Sequence, residues 1–341
     1  MNPPPPATNR NPHHAAESSA AGRRPGQLLN FASAWAFYLA TVFLHLGGQG
    51  GELPPTFYAF TRYVLGFAIF GTWFALERRN LAERGPGAVR FLILRGVFNL
   101  LALVCFYQSV AAGATGKANV LNMTYPAFVA LLAGPMLGEA PDRRTVALVA
   151  LAVAGMLLNI FEWNDGLGMP SAADAWGIAS GVAAGFAIVS LRGAARVASP
   201  VEILCWMFGL GAIALLPFNL SEIAWLVERL SEVFYTPTRA EIELEAGATF
   251  ARHWSRELLF VFASAGCGIL GQWSLSISYR YLDASSGSVI SASRIPIALI
   301  AGFLFLGESA ALWPWLGAAL ILLSNILLAT RRVPDQDPGK I

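Results

Sequence analysis

The sequence AAGATGKANVLNMTYP at residues 111–126 aligns without gaps with YLDASSGSVISASRIP at residues 281–296. Both copies end in a proline, Pro126 and Pro296, and continue into an apolar stretch that closes with a Gly-Glu pair. The two pairs are Gly138-Glu139 and Gly307-Glu308. A recurrence of this kind indicates an internal repeat, so the chain consists of two related halves.

The composition is typical of a membrane protein. Hydrophobic residues make up 55% of the chain and charged residues only 13%, whereas soluble domains carry about 25% charged residues. Ten stretches approach the roughly 20 apolar residues that a helix needs to cross a bilayer. They are residues 28–46, 56–76, 93–112, 117–137, 144–161, 174–192, 201–219, 257–279, 286–306 and 311–330. The sequence therefore predicts an all-α polytopic membrane protein with ten transmembrane helices, and its net charge of +2 gives no sign of a nucleic-acid partner.

The ten predicted spans divide into two sets of five, at residues 28–161 and 174–330. Because five is odd, the second set must enter the membrane in the opposite orientation to the first. Two inverted five-helix repeats are an architecture of secondary transporters, which bind their substrate near the bilayer midplane between the repeats.

Lys and Arg concentrate at one set of loops, which the positive-inside rule assigns to the cytoplasm together with both termini. Residues 1–27 form a Pro-, Ser- and Ala-rich tail that we expect to be disordered, and residues 331–341 form a second cytoplasmic tail. The longest loop, residues 220–256, is then extracytoplasmic. Its pattern favours a surface helix on the bilayer, with a lid over the outer mouth as the alternative.

These features resemble the EamA-type permeases of the drug/metabolite transporter superfamily. The resemblance rests on ten spans in two halves, on the Pro…Gly-Glu pattern ending spans four and nine, and on Arg62 within PPTFYAFTRYVLGF at residues 54–67. It covers about residues 28–330, and the 220–256 insertion departs from it. Membership implies a carrier of metabolites, amino acids or drugs, often an exporter of the inner membrane.

Arginines within spans are the leading candidates for substrate binding, because an ionisable group at bilayer depth costs at least about 2.5–3.5 kcal/mol. Arg294 lies near the middle of span nine, and its repeat counterpart is Thr124. Arg62 lies in the outer half of span two, where the side chain can also extend to the interface. Arg95, near the start of span three, is interpreted as an interfacial anchor. No Asp or Glu occupies a midspan position, so a substrate carboxylate or phosphate is the expected counter-ion.

Uncharged polar residues concentrate on spans three, four, eight and nine. Each can either contact a substrate or join helices by hydrogen bonds, and the family resemblance assigns these spans to a central cavity. The candidates are Asn119, Asn122, Tyr125, Gln272, Trp273, Ser291, Tyr107 and Gln108.

The repeat motifs themselves suggest moving parts. Pro126 and Pro296 are expected to kink their helices next to the cavity. Glu139 and Glu308 are interpreted as helix-end or gating residues, with Arg143 as a local partner for Glu139. On span six, the four-residue spacing of Gly177, Gly181 and Gly185 predicts close helix packing.

The resulting prediction is a secondary-active exporter of a small organic metabolite, such as an amino acid or another carboxylate, that works by alternating access. A small-molecule substrate and the lipid bilayer are its expected partners, and a homodimer is left open. The sequence shows no nucleophile–base set and no metal or cofactor motif, and GATGK at residues 113–117 lacks the Ser or Thr of a phosphate loop. A membrane-embedded enzyme and a receptor-like protein remain the alternatives.

Overall fold

The computed structural model describes residues 12–48, 53–77, 86–112, 121–139, 141–160, 172–224, 226–227, 244–297, 300 and 312–329. These residues form ten α-helices and one 3-10 helix, and they contain no strand. The α-helices are α1 (Pro12–Gly48), α2 (Pro55–Leu76), α3 (Pro86–Ala112), α4 (Tyr125–Leu137), α5 (Arg143–Ile160), α6 (Ala172–Ala195), α7 (Pro200–Leu215), α8 (Leu244–Ser278), α9 (Ala284–Ser291) and α10 (Leu312–Ala329). The 3-10 helix, Leu216–Asn219, continues α7.

The helices have the length and composition of a polytopic membrane protein. Six helical stretches in the described residues are long and apolar enough to cross a bilayer. They are Arg24–Gly47, Pro55–Leu76, Val89–Ser109, Ala175–Ala195, Pro200–Ala224 and Arg256–Ser278. Shorter apolar helices cover Tyr125–Leu137 and Trp315–Ser324. The predicted all-α membrane fold is confirmed.

The packing of the helices follows the repeat. Helix α1 packs along α8, and α3 packs along α6. These two pairs are equivalent in the repeat, because α1 corresponds to α6 and α8 corresponds to α3. The other extensive contacts, α2 with α7 and α5 with α10, each join corresponding helices of the two halves. The two halves are therefore interleaved, and neither forms a separate bundle.

The main buried core joins the two halves. Its members come from α3, α4 and α5 of the first half, from α6 to α10 of the second half, and from residues beside these helices. They include Val129, Ala152, Val189, Tyr279, Val289 and Ile321. Burial of this apolar surface between the halves favours their association.

Two helices are interrupted at matching places in the repeat. A turn at residues 123–124 precedes α4, and a turn at residues 292–293 separates α9 from a helical turn at residues 294–297. The interruptions come just before Pro126 and Pro296, which provide no backbone donor for a continuous helix. The hydroxyl of Thr124 donates to the Leu121 carbonyl at 2.7 Å, and that of Ser293 to the Ile290 carbonyl at 2.6 Å. Each hydroxyl thus adds a second donor to a carbonyl that also accepts a backbone amide.

Part of the predicted N-terminal tail is helical. Helix α1 begins at Pro12, so residues 12–27 depart from the expectation of disorder. This segment is rich in alanine, the best helix former, and it leads directly into the apolar span at residues 28–46. The tail residues 1–11 and 331–341, and residues 228–243 of the insertion, lie outside the described residues.

The close packing predicted for span six is confirmed. A Cβ added to Gly177 would lie 2.8 Å from the Cβ of Leu121, and one on Gly181 would lie 2.7 Å from the Oγ1 of Thr124. A Cβ on Gly185 would lie 2.7 Å from the Cβ of Phe128. The three glycines let α6 approach α4 and the turn that precedes it.

We expect Gly181→Ala to destabilise the protein. The added methyl would also lie 3.0 Å from the carbonyl oxygen of Leu121, and this backbone atom cannot move as a side chain does. The cost should be about 1–3 kcal/mol, typical of overpacking, and it should appear as a lower unfolding temperature in detergent. Gly266→Ala is the matched control, because a Cβ at Gly266 meets nothing within 4 Å. Equal unfolding temperatures for the two variants would contradict the packing argument.

Candidate functional site

A central cavity lies between the two halves, with about 900 Å³ of empty space that includes its opening to solvent. Its lining comes from α1, α2, α3, α4, α6, α8 and α9 and from the two helix interruptions. The polar lining residues are Thr41, Arg62, Arg95, Asn99, Tyr107, Asn122, Tyr125, Ser264, Gln272, Ser291 and Arg294.

Arg294 lies at the first residue after the interruption that follows α9. Its guanidinium carbon is 4.7 Å from the ring centroid of Phe37, a cation–π distance that holds the planar group against α1. Its Nε is buried without a hydrogen-bond partner in the described structure. The Arg294 side chain also lines the cavity, and guanidinium groups bind anions.

Arg95 is a cavity residue, and its interpretation as an interfacial anchor was wrong. Its side chain is only 1% exposed. Helix α3 begins at Pro86, so Arg95 lies about 13 Å along the helix axis. Its Nη2 donates to the Oε1 of Gln272 at 2.6 Å, and its Nη1 donates to the Ala187 carbonyl at 3.3 Å. Its Nε, like that of Arg294, is buried without a described partner.

A chain of hydrogen bonds fixes the orientation of Gln272. Its Nε2 donates to the Oδ1 of Asn99 at 3.2 Å, and the Asn99 amide donates to the hydroxyl of Tyr63 at 2.8 Å. The Oε1 of Gln272 therefore faces Arg95. Sequence reasoning missed Asn99, although an amide within an apolar span is itself a signal.

Arg62 extends into the cavity and does not turn towards the membrane interface. Its side chain crosses α8 at Gly268, where an added Cβ would lie 2.4 Å from the Cδ of Arg62. A larger residue at Gly268 would displace the arginine. The glycine thus permits the inward course of Arg62.

Several of the uncharged candidates both line the cavity and join helices. The Asn122 amide donates to the Ser180 hydroxyl, which donates to the Ala102 carbonyl at 2.9 Å. The Ser291 hydroxyl donates to the Oδ1 of Asn30 at 2.6 Å. Tyr107 and Tyr125 are buried and also line the cavity. Contact with a substrate and the joining of helices are therefore compatible roles for these residues.

The remaining candidates lie elsewhere. Trp273 packs edge-on against Trp73, with ring centroids 6.4 Å apart, and does not line the cavity. Gln108 is exposed and also lies outside the lining. Asn119 and Glu308 fall outside the described residues.

Glu139 closes one end of the helix bundle. Gly138, at φ +68°, ends α4 in the left-handed conformation that glycine adopts without strain, and Glu139 follows it. The Oε1 of Glu139 accepts from the Nε of Arg192 at 2.9 Å and from Arg196, and its Oε2 accepts from the Ala284 amide at 3.3 Å. The local pair predicted with Arg143 is replaced by these partners, because Arg192, in the last turn of α6, and Arg196, just after that helix, lie next to the end of α4.

Arg192 extends this contact to a third helix. Its Nη1 donates to the carbonyl of Tyr279, just beyond α8, at 2.8 Å. The Glu139 clamp, defined as Glu139, Arg192 and Arg196, thus links α4 of the first half to α6, α8 and α9 of the second. Burial alone would raise the pKa of Glu139, but the hydrogen-bonded Arg192 and Arg196 outweigh it, and the pKa lies below the usual 4.5.

The electrostatics of the cavity favour an anion. Its described lining contains three arginines and no Asp or Glu. No group of three or more His, Cys, Asp or Glu in the described part of the chain is placed to hold a metal ion. Guanidinium groups bind carboxylates and phosphates through paired hydrogen bonds.

Residues 24–161 and 171–330 each match the EamA-like transporter family. The chain belongs to this family. The two matches correspond to the two halves that the internal repeat predicts. The protein is therefore a multi-pass membrane transporter, and the same comparison disfavours an enzyme.

Named relatives agree with this assignment. A riboflavin transporter of Rhizobium johnstonii is 29% identical over 280 residues, which cover 81% of each chain. The pseudopaline exporter CntI of Pseudomonas aeruginosa is 26% identical over 172 residues, covering 50% of this chain and 58% of that protein. A protein of known crystal structure has a TM-score of 0.62 at 16% identity, covering 90% of this chain and 97% of that one, and shows the same fold.

The Glu139 clamp predicts a pH-dependent stability. Because its folded pKa is lowered, the contribution of Glu139 is complete above the unfolded value near 4.5 and is lost as the pH falls through the folded value. Glu139→Gln should lower the free energy of unfolding at pH 7 by about 1–3 kcal/mol, the usual worth of hydrogen bonds to charged groups. It should also make the unfolding temperature less dependent on pH below pH 5.

Thermal unfolding in detergent between pH 3.5 and 8 measures this effect. Glu222→Gln is the control, because Glu222 is only partly buried and accepts a hydrogen bond from the neighbouring Ser221 at 2.9 Å. Parallel pH profiles for the parent and Glu139→Gln would show that the clamp does not stabilise the protein.

Proposed function

We propose that the protein is a secondary-active exporter of a small carboxylate-bearing metabolite, such as an amino acid. The observation that carries this proposal is the cavity lined by three arginines with no described acid. Charged groups at this depth require a counter-ion, and the substrate supplies it.

The two most buried guanidinium groups support direct contact with the substrate. Arg95 and Arg294 come from different halves and occupy positions that the repeat does not relate. Each has a buried Nε without a described partner. Arg95 is held by Gln272 and Ala187, and Arg294 by the ring of Phe37. Donors fixed in this way bind an anion with little loss of side-chain entropy.

Alternating access fits the positions of the cavity and the clamp. The cavity lining extends to Leu44 and Tyr107, near the ends of α1 and α3 that the charge distribution assigns to the outside. The Glu139 clamp joins the two halves at the opposite, cytoplasmic ends. Loading from the cytoplasm then requires the clamp to break, while the outer end closes.

The topology follows the same assignment. We place the protein in the inner membrane with both termini in the cytoplasm. The repeats occupy residues 28–161 and 174–330, and the 220–256 insertion is extracytoplasmic. The export direction agrees with the named activity of the Pseudomonas relative.

A flat aromatic metabolite is the second candidate substrate. The cavity lining includes Phe37, Phe106, Tyr107 and Tyr125, and aromatic side chains bind rings by stacking. A relative that matches 81% of this chain is named as a riboflavin transporter. The substrate screen must therefore contain riboflavin as well as carboxylates.

Replacing Arg294 should abolish transport of an anionic substrate. Metabolites inside and outside an exporter-deficient host, with and without the protein, identify the substrate, and efflux is then measured from proteoliposomes. Arg294→Ala and Arg294→Lys should each reduce efflux by at least about tenfold, because lysine cannot form the bidentate contact. Arg256→Ala removes an exposed arginine outside the cavity, near Phe260, and should leave efflux unchanged. Parent-like efflux by both Arg294 variants would refute the proposal.

Gln272→Glu tests the charge of the site without changing its shape. The new carboxylate would face Arg95 and compete with the substrate for that cation. Affinity for a carboxylate should fall by at least about tenfold, a loss of roughly 1.4 kcal/mol, while the unfolding temperature is maintained or rises. Gln108→Glu is the control, since Gln108 is exposed outside the lining.

The same variant separates the two candidate substrates. Riboflavin carries no carboxylate, so its binding should change little in Gln272→Glu. An unchanged affinity for every transported carboxylate would contradict a role for Arg95 in binding the anion.

A further inference from the structure

A second concave surface lies on the outside of the helix bundle, between α1, α9 and α10. Its floor is Ile290 and Ser293, and its walls include Leu28, Phe31 and Ile326. The empty volume is about 890 Å³, and the lining is almost entirely apolar. The Ser293 hydroxyl donates to the Ile290 carbonyl, so it presents no free donor to the groove.

The groove exists because the two halves differ at this point. In the repeat-related place, α6 packs against α4 through Gly177, Gly181 and Gly185. Helix α1 instead meets α9 through Asn30, whose amide donates to the Gly287 carbonyl at 3.2 Å. This polar contact is local, and the described residues beside it line the concave surface.

A cation stands at one end of the groove. Arg24 is exposed, and it is the first residue of the apolar span Arg24–Gly47. Its guanidinium therefore lies at the level where the hydrocarbon region ends. Leu28, which is 70% exposed, and Phe31 follow about one and two turns farther into the span on the same groove.

We propose that this groove binds one anionic phospholipid. The headgroup phosphate pairs with Arg24, and an acyl chain lies along the apolar walls towards the bilayer centre. Cations at a membrane surface attract anionic lipids. In this groove the cation matches the anionic headgroup, and the apolar walls match the acyl chain. A neutral phosphatidylcholine carries the same chains without net negative charge.

The bound lipid acts on the segment that also forms the cavity. Ile290 and Ser293 face the groove, while Ser291 and Arg294 line the cavity on the other side of the same short segment. This segment contains the interruption at residues 292–293. Filling the groove gives the interrupted backbone packing partners on its lipid side and so stabilises it.

The test uses the full-length protein in neutral detergent. Phosphatidylglycerol or phosphatidylcholine with identical acyl chains is titrated in, and bound lipid is counted by native mass spectrometry while the unfolding temperature is followed. The parent should retain phosphatidylglycerol in preference and should unfold at a higher temperature with it. Arg24→Gln should weaken this binding about fivefold, the effect of one cation near the surface.

Two further variants make the result specific. Arg90→Gln removes another exposed arginine at the predicted cytoplasmic end of α3, away from the groove, and should bind lipid like the parent. Leu28→Trp places a bulky ring on the groove wall and should reduce binding of the acyl chain. Equal responses to the two lipids, or equal phosphatidylglycerol binding by Arg24→Gln and Arg90→Gln, would overturn the proposal.

Discussion

The hydrocarbon interior of a membrane offers no water to a free backbone carbonyl, so an interrupted helix must be enclosed by other protein groups. The part of the chain that the structure describes contains two interruptions, at residues 123–124 and 292–293. The hydroxyls of Thr124 and Ser293 donate to carbonyls within these segments, and helices of the opposite half pack against both. The interleaved packing and the central cavity follow from this requirement.

The fold could be predicted because one segment of each half is similar enough to reveal the internal repeat. The alignment of residues 111–126 with 281–296 divides the chain, and an odd number of spans in each half dictates inversion. Both interruptions fall within or directly after the aligned segments. The packing of Gly181 was also predictable, since glycines spaced by four on one helix form a flat face that lets a neighbouring helix approach closely.

The site was harder to predict because its members are joined by contacts that are remote in sequence. Arg95 near the start of a span resembles any interfacial arginine, and only its bond to Gln272, 177 positions away, identifies it as a cavity residue. The partners of Glu139 were missed for the same reason: local spacing suggested Arg143, while the tertiary fold supplies Arg192 and Arg196. Arg294 was found because a midspan charge is conspicuous without knowledge of its neighbours.

The repeat is symmetric in its backbone but not in its charges. Glu139 and Glu308 are counterparts in the two halves, and Glu139 meets Arg192 and Arg196 at the end of α6, the first helix of the second half. The corresponding end of α1, residues 38–48, contains no Arg or Lys. Helix α1 therefore supplies no counterpart of Arg192 and Arg196. In the proposed alternating-access cycle, this difference would make the transporter a rectifier: it would dwell longer in one state than in the other, with Arg192 and Arg196 setting the direction of the bias.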